Sequence, residues 1–278
     1  MDTKEISDIR PQSRRRSWMS RAGCFSPEAM LITMIIEFGG ALWIAARYKL
    51  NQVGWLILAL LVFLGGMQLS EFVICEAGAT HYWPHIAYAS ITMLPPLGIS
   101  LAMAIAGKKS TIAQVIMYVA CGGFLIYWLF QMRGMDGATC GGNYVVFIAN
   151  DDAMWLFGTY YYVLLAIGTF VSFYWGAKAD NRRTRWALYW LAIGYIVFIV
   201  PTITVALLDP ATQNAIPSVM CGFALFLALT LLFFVAPRSA TKRGEAEVGP
   251  GPDADDSDDS NDSLESTDDQ SVNTPVGG

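Results

Sequence analysis

Glu71, His81 and His85 are the residues whose types and spacing come nearest to a chemical site in this chain. Gln68, Glu71 and Cys75 stand at i, i+3 and i+7, so one helical face carries all three. His81 and His85 are four residues apart, and Tyr88 and Thr92 extend their face. A short segment holding Glu76 joins the two stripes, which are therefore expected to meet. Two histidines, a carboxylate and a cysteine are zinc-ligand types, and His81, His85 and Glu71 form the candidate metal set. Pro84 opposes it, because a helix opening at Pro84 would leave His81 off the shared face. Without a metal, imidazoles lining a pocket would make it respond to pH. Glu37 lies deeper, in a different apolar stretch, as either a proton-relay group or a lone buried acid.

The elements that must position these groups are seven apolar stretches, at 29–46, 53–75, 84–106, 111–132, 153–176, 186–208 and 217–236. A helix needs about 20 residues to cross roughly 30 Å of hydrocarbon, and each stretch is near that length. Apolar side chains occupy all faces, as membrane-buried helices require. No sustained two-residue alternation supports a barrel. The expected fold is an all-α polytopic membrane bundle of seven transmembrane helices. Glu71 then lies in an ionisable-poor span, where a carboxyl faces a cavity or a partner.

Composition agrees. The chain is 54% hydrophobic and 15% charged over 278 residues, with mean hydropathy +0.42. The net charge of −5 is misleading, because 11 of the 23 acids crowd into residues 244–278, which hold no base. The rest of the chain carries all 18 bases against 12 acids. No basic patch for nucleic acid is visible. The chain divides into a basic N-terminal tail (1–22), a transmembrane domain (23–238) and an acidic tail (239–278), with both tails expected to be disordered. The acidic tail is a candidate docking element for a cytoplasmic partner.

Charge also predicts orientation. Arg47, Lys49, Lys108, Lys109, Lys178, Arg182, Arg183, Arg185, Arg238, Lys242 and Arg243 fall on one side, whereas the opposite loops hold only Arg133. The positive-inside rule puts the C-terminus in the cytoplasm and the N-terminus outside, in a multi-pass plasma-membrane protein. The tail bases Lys4, Arg10, Arg14, Arg15, Arg16 and Arg21 oppose this, but reversal would export eleven bases to retain six. Trp43, Trp55, Trp175, Trp186 and Trp190 are expected at one interface, and Trp83, Trp128 and Trp155 at the other.

Pro95-Pro96 and Pro201 fall inside the third and sixth stretches, where each removes a backbone donor and predicts a kink. Neighbouring side chains can satisfy the freed carbonyls. The pairs Gly39-Gly40, Gly65-Gly66 and Gly122-Gly123 mark expected close helix contacts. Residues 133–152 form the longest loop, which could be a lid or a plain connection. In an oxidising outer compartment, Cys75 and Cys140 are disulfide candidates that would tie this loop to the second helix; free buried cysteines are the alternative.

Several classes find no support. The seventh stretch has no lysine for a retinal Schiff base, and no Gly-Lys-Ser/Thr phosphate loop or Gly-x-Ser-x-Gly elbow occurs. Only two histidines are present, which disfavours ceramidase-related zinc hydrolases. The segments GCFSPEAM at 23–30 and GGMQLSEF at 65–72 resemble an uncharacterised prokaryotic family of seven-helix membrane proteins. Its members begin Met-Cys-Phe-Ser-x-x-Ala-Ser-Phe and carry Gln-x-x-Glu in the second helix. Cys24, Phe25, Ser26, Gln68 and Glu71 match those positions, while Met30 replaces a serine and a 22-residue extension precedes Gly23. The resemblance implies the seven-helix architecture and draws attention to Glu71 and Cys24, without a reaction.

The functional expectation is a sensor or transporter-like membrane protein. Its polar pocket would open outward, centred on Glu71 and lined by Gln68, His81 and His85. A membrane-embedded, zinc-dependent enzyme and an interaction protein acting through its acidic tail are the alternatives.

Overall fold

The computed structural model describes residues 27–79, 81–130, 135–140, 145–149, 151–208, 216–241 and 243. The residue Cys24 and both expected tails, apart from 239–241 and 243, lie outside them. The fold is an all-α bundle: α1 (Pro27–Arg47), α2 (Gln52–Ala77), α3 (Trp83–Ile105), α4 (Thr111–Phe130), α5 (Asp151–Lys178), α6 (Arg182–Leu208) and α7 (Ile216–Thr230). A π turn, Leu231–Val235, carries α7 into the short α8 (Ala236–Ser239). Among the described residues six helices are long and apolar enough to cross a membrane, and Phe223–Ser239 adds a shorter apolar helix. The protein is therefore a multi-pass membrane bundle.

Local signals explain several boundaries. The Asn51 side chain accepts a hydrogen bond from the Gly54 N–H at 3.0 Å and caps α2. That helix ends at Gly78, whose φ of 65° is left-handed and suits glycine. Pro84 then occupies the first turn of α3, where its missing N–H costs nothing.

α3 is the central helix, buried along most of its length, and it packs against α2, α4, α5 and α6. Small residues permit the closest approaches. A Cβ at Gly98 would collide with the Tyr195 hydroxyl of α6. Gly40 seats Leu232, Gly65 seats the Phe38 ring, and Gly66 faces Ser90. The Gly122-Gly123 expectation needs correction: both face open space, as does Gly39.

The proline prediction resolves into a specific node. Pro96 cannot donate to the Thr92 carbonyl one turn earlier. That carbonyl instead accepts from the Tyr160 hydroxyl of α5 at 3.0 Å and from the Cys121 thiol of α4 at 3.6 Å. Three helices thus converge on one freed acceptor.

The long loop contains structure that the sequence reading missed. Strands β1 (Met135–Cys140) and β2 (Val145–Ala149) pair antiparallel, with a bulge between Met135 and Gly137. Gly137 has φ 138°, which a bulge accommodates most easily with glycine. Val145 and Phe147 point inward and Ile148 outward. This alternation is hidden in sequence because both faces of Val-Val-Phe-Ile-Ala are apolar.

At the other end, which holds the basic loops, the chain is closed by a backbone clip. Lys49 N–H donates to the Thr241 carbonyl at 2.8 Å, and Arg243 N–H to the Arg47 carbonyl at 3.0 Å. Ser239 ends α8, and residues 241 and 243 fasten to the end of α1.

Candidate functional site

Two acids lie inside the membrane bundle. Glu37 of α1 is 0% exposed and Glu71 of α2 is 1% exposed. The two helices that carry them pack directly against each other. Helix geometry explains the approach. α1 and α2 are sequential and antiparallel, and side chains tilt toward the N-terminus of their own helix. Glu37 therefore leans toward the hairpin end and Glu71 toward the basic end, so the carboxyls converge from different depths.

Other buried polar side chains surround this pair. Thr33 lies one turn from Glu37 on α1, and its hydroxyl donates to the Met30 carbonyl at 2.9 Å. Gln68 lies one turn from Glu71 and is also buried, as is Ser70, which donates to the Gly66 carbonyl. Among the described residues, neither carboxyl oxygen of Glu37 has a hydrogen-bond partner. Toward the basic end the same face of α1 turns apolar: Ala41, Ile44 and Tyr48 join Ile57, Leu60, Leu61 and Leu64 of α2 in one core cluster.

The histidines do not join the acids. His81 sits in the exposed turn before α3, with its ring against Tyr82 at 4.5 Å. His85 faces α4, where its Nδ1–H donates to the Trp128 carbonyl at 2.6 Å. That carbonyl belongs to the last turn of α4 and has no donor of its own helix within reach, so the imidazole acts as a cap. The expected metal set of His81, His85 and Glu71 is thus corrected: among the described residues no group of three or more His, Cys, Asp or Glu side chains is placed to hold a metal. The cause is the one signalled by Pro84. The helix begins after His81 and separates the two rings.

No family model and no curated protein sequence matches this chain. The reading of the site therefore rests on its own geometry.

An aromatic cluster joins α3, α4, α5 and the hairpin. Tyr88 contacts Trp128, Phe147 and Phe157 at centroid distances of 4.6, 5.2 and 5.5 Å. Trp128 was expected as an interfacial anchor; it is instead 1% exposed, inside the bundle, and its indole N–H has no hydrogen-bond partner. Phe147 comes from the hairpin, which packs on α2 and α3. A disulfide joins Cys140 of β1 to Cys75 of α2, one turn beyond Glu71. The hairpin is thus pinned over the end of the helix that carries Glu71. Two grooves of about 450 and 370 Å³ open on the flanks of the bundle, and neither is lined by Glu71 or a histidine. Both acids were pocket candidates in the sequence, but 34 residues separate them and their placement on two packed helices was not read there. The available signal was that Thr33, Glu37, Gly40, Ala41 and Ile44 mark one face of α1, which must meet its hairpin partner α2.

Proposed function

We propose that this chain is a sensor or transporter-like integral membrane protein whose working site is the Glu37–Glu71 pair. The carrying observation is that two carboxyls, 0% and 1% exposed, are buried on α1 and α2, two membrane-spanning helices packed against each other. Ionisable groups at such depth are costly, and they mark ion and proton pathways far more often than packing sites. Gln68 and Thr33 continue the polar face, and His85 serves to hold α4 rather than to line the site. The apolar seal below Glu37 and the polar residues above it favour access from the hairpin end.

The positive-inside rule places that end outside the plasma membrane and the eleven-base end in the cytoplasm. A disulfide at the hairpin agrees with an oxidising exterior. The test is reconstitution in proteoliposomes with a pH-sensitive dye inside and tryptophan emission recorded in parallel. A pH step imposed on the hairpin side is expected to produce a flux or an emission change that Glu71→Gln abolishes. If both signals are identical in the variant, the assignment fails.

A further inference from the structure

We propose that the groove between α2 and α4 at the basic end binds one anionic phospholipid, with the phosphate among the groove's polar side chains. The site shares no residue with the Glu37–Glu71 pair and does not depend on the reading of that pair.

α2 and α4 both pack on α3, and the space left between them is a groove of about 370 Å³. Cavities that hold small ligands begin at about 300 Å³. Among the described residues of α4, those buried are Met117, Cys121 and Trp128, so most of this helix faces out of the bundle. Next to the lining residues in sequence, Ile112, Ile116 and Val119 are exposed apolar side chains. In a bilayer such a surface meets acyl chains, and the groove beside it is reached from the lipid.

The lining itself is not what lipid tails require. Gln52 opens α2, Thr111 and Gln114 lie in the first turn of α4, and Ser100 of α3 and Tyr118 of α4 complete the polar set. At about 1.5 Å per residue, Gln114 lies roughly 5 Å and Tyr118 roughly 10 Å from the start of α4, a span that covers headgroup and glycerol-ester depth. The Ser100 and Tyr118 hydroxyls stand 3.0 Å apart and share one hydrogen bond. That bond uses one of their two protons, so the pair keeps an O–H to give to an acceptor. The amides of Gln52 and Gln114 and the Thr111 hydroxyl add further donors. A ligand rich in acceptor oxygens, such as a phosphodiester with its glycerol esters, matches this set.

Charge selects an anion. Lys49 stands three residues before Gln52, and Lys108 and Lys109 stand three and two before Thr111. Lys108 and Lys109 are exposed, and the Lys108 N–H donates to the Met103 carbonyl at 2.9 Å, which ties their turn back onto α3. No acid occurs in 38–70 or 77–135, so neither loop carries a competing negative charge. Bases beside a membrane surface attract anionic headgroups. α2 and α4 both begin at this end, and the positive ends of their dipoles add a smaller attraction.

The experiment titrates the purified full chain in detergent with phosphatidylglycerol, with phosphatidylcholine of the same acyl chains, and with inorganic phosphate. Native mass spectrometry counts the molecules retained. One phosphatidylglycerol is expected to bind about tenfold more tightly than phosphatidylcholine, and the double variant K108Q/K109Q to weaken it roughly tenfold. Tyr118→Phe is expected to weaken it about fivefold by removing a donor to the phosphate or ester oxygens. Gln114→Leu, at a half-buried position, is the second lining variant should Tyr118→Phe fold poorly. The control R182Q/R183Q removes the same charge from the same end, outside the groove, and is expected to change binding by less than about twofold. Equal retention of the two lipids, or equal losses in K108Q/K109Q and R182Q/R183Q, would reduce the effect to the general field of the basic end and overturn the site. Parent-like binding in both Tyr118→Phe and Gln114→Leu would place the lipid elsewhere and also overturn it. Displacement of the lipid by millimolar inorganic phosphate would make the groove a soluble-anion site and overturn the lipid assignment.

Discussion

The Thr92 carbonyl offers a direct test of how this bundle tolerates proline. The perturbation is Tyr160→Phe, which deletes the 3.0 Å hydrogen bond to that carbonyl together with the hydroxyl's hydrogen bond to the Cys121 side chain. Interhelical hydrogen bonds in membrane bundles average about 0.6 kcal/mol and reach about 1.7 kcal/mol. Pro96 leaves the Thr92 carbonyl without its own-helix donor, and Cys121 supplies only a weak thiol at 3.6 Å. The loss should therefore fall in the upper part of that range, about 1–1.5 kcal/mol. The decisive step is to repeat it in a Pro96→Ala background, where residue 96 regains an N–H aimed at the same carbonyl. There Tyr160→Phe is expected to cost under about 0.5 kcal/mol, leaving a coupling of about 1 kcal/mol. Reversible unfolding in mixed micelles at increasing mole fraction of denaturing detergent would measure all four corners. Equal costs of Tyr160→Phe in both backgrounds would show that the tyrosine stabilises by packing alone, and the carbonyl argument would be wrong.

Further outcomes follow from other contacts. Gly98→Ala is expected to destabilise by about 1–3 kcal/mol through overpacking, and Tyr195→Phe to recover only part, since the new methyl would remain 2.9 Å from the ring carbon Cζ. Trp128→Ala should cost about 3–5 kcal/mol, as expected for emptying a buried aromatic site, and a thermal melt in detergent would reveal it. Cys75→Ser should release the hairpin to limited proteolysis within 135–149. Its stability cost is bounded by about 4 kcal/mol for a 65-residue separation, because the helices already restrain the closed loop.

Hydropathy made the spans legible because a bilayer imposes length and apolarity on each helix separately. The contents of the bundle were less legible, because they depend on which helices become neighbours. Glu71 was conspicuous as an acid in a span, yet the buried acid on the helix packed against its own is Glu37, and His85 turns to the Trp128 carbonyl. The histidines are near Glu71 in sequence, but the turn at Gly78 and the start of α3 direct His85 toward α4. Pro96 announced a freed carbonyl, but Tyr160 lies 68 residues beyond Thr92. Trp128 looked interfacial by its position near a helix end, but its ring packs against Tyr88 of α3 and Phe157 of α5 and is buried there. The hairpin was hidden because β2 is apolar on both faces and shows no alternation.

The backbone clip and the Gly40–Leu232 contact have a consequence for the birth of the protein. Of the described helices, the one that carries Glu37 is made first, and the turn that closes its flank at Gly40 follows α7. Chains assemble from the N-terminal side as they are synthesised. Throughout the making of residues 52 to 215, then, α1 holds a mid-membrane acid against α2 with its other flank unsealed. Completion comes only when Thr241 and Arg243 reach the end of α1. Truncation anywhere before that point leaves an open acid in the bilayer, a defect that membrane quality control could recognise from the N-terminal helix alone.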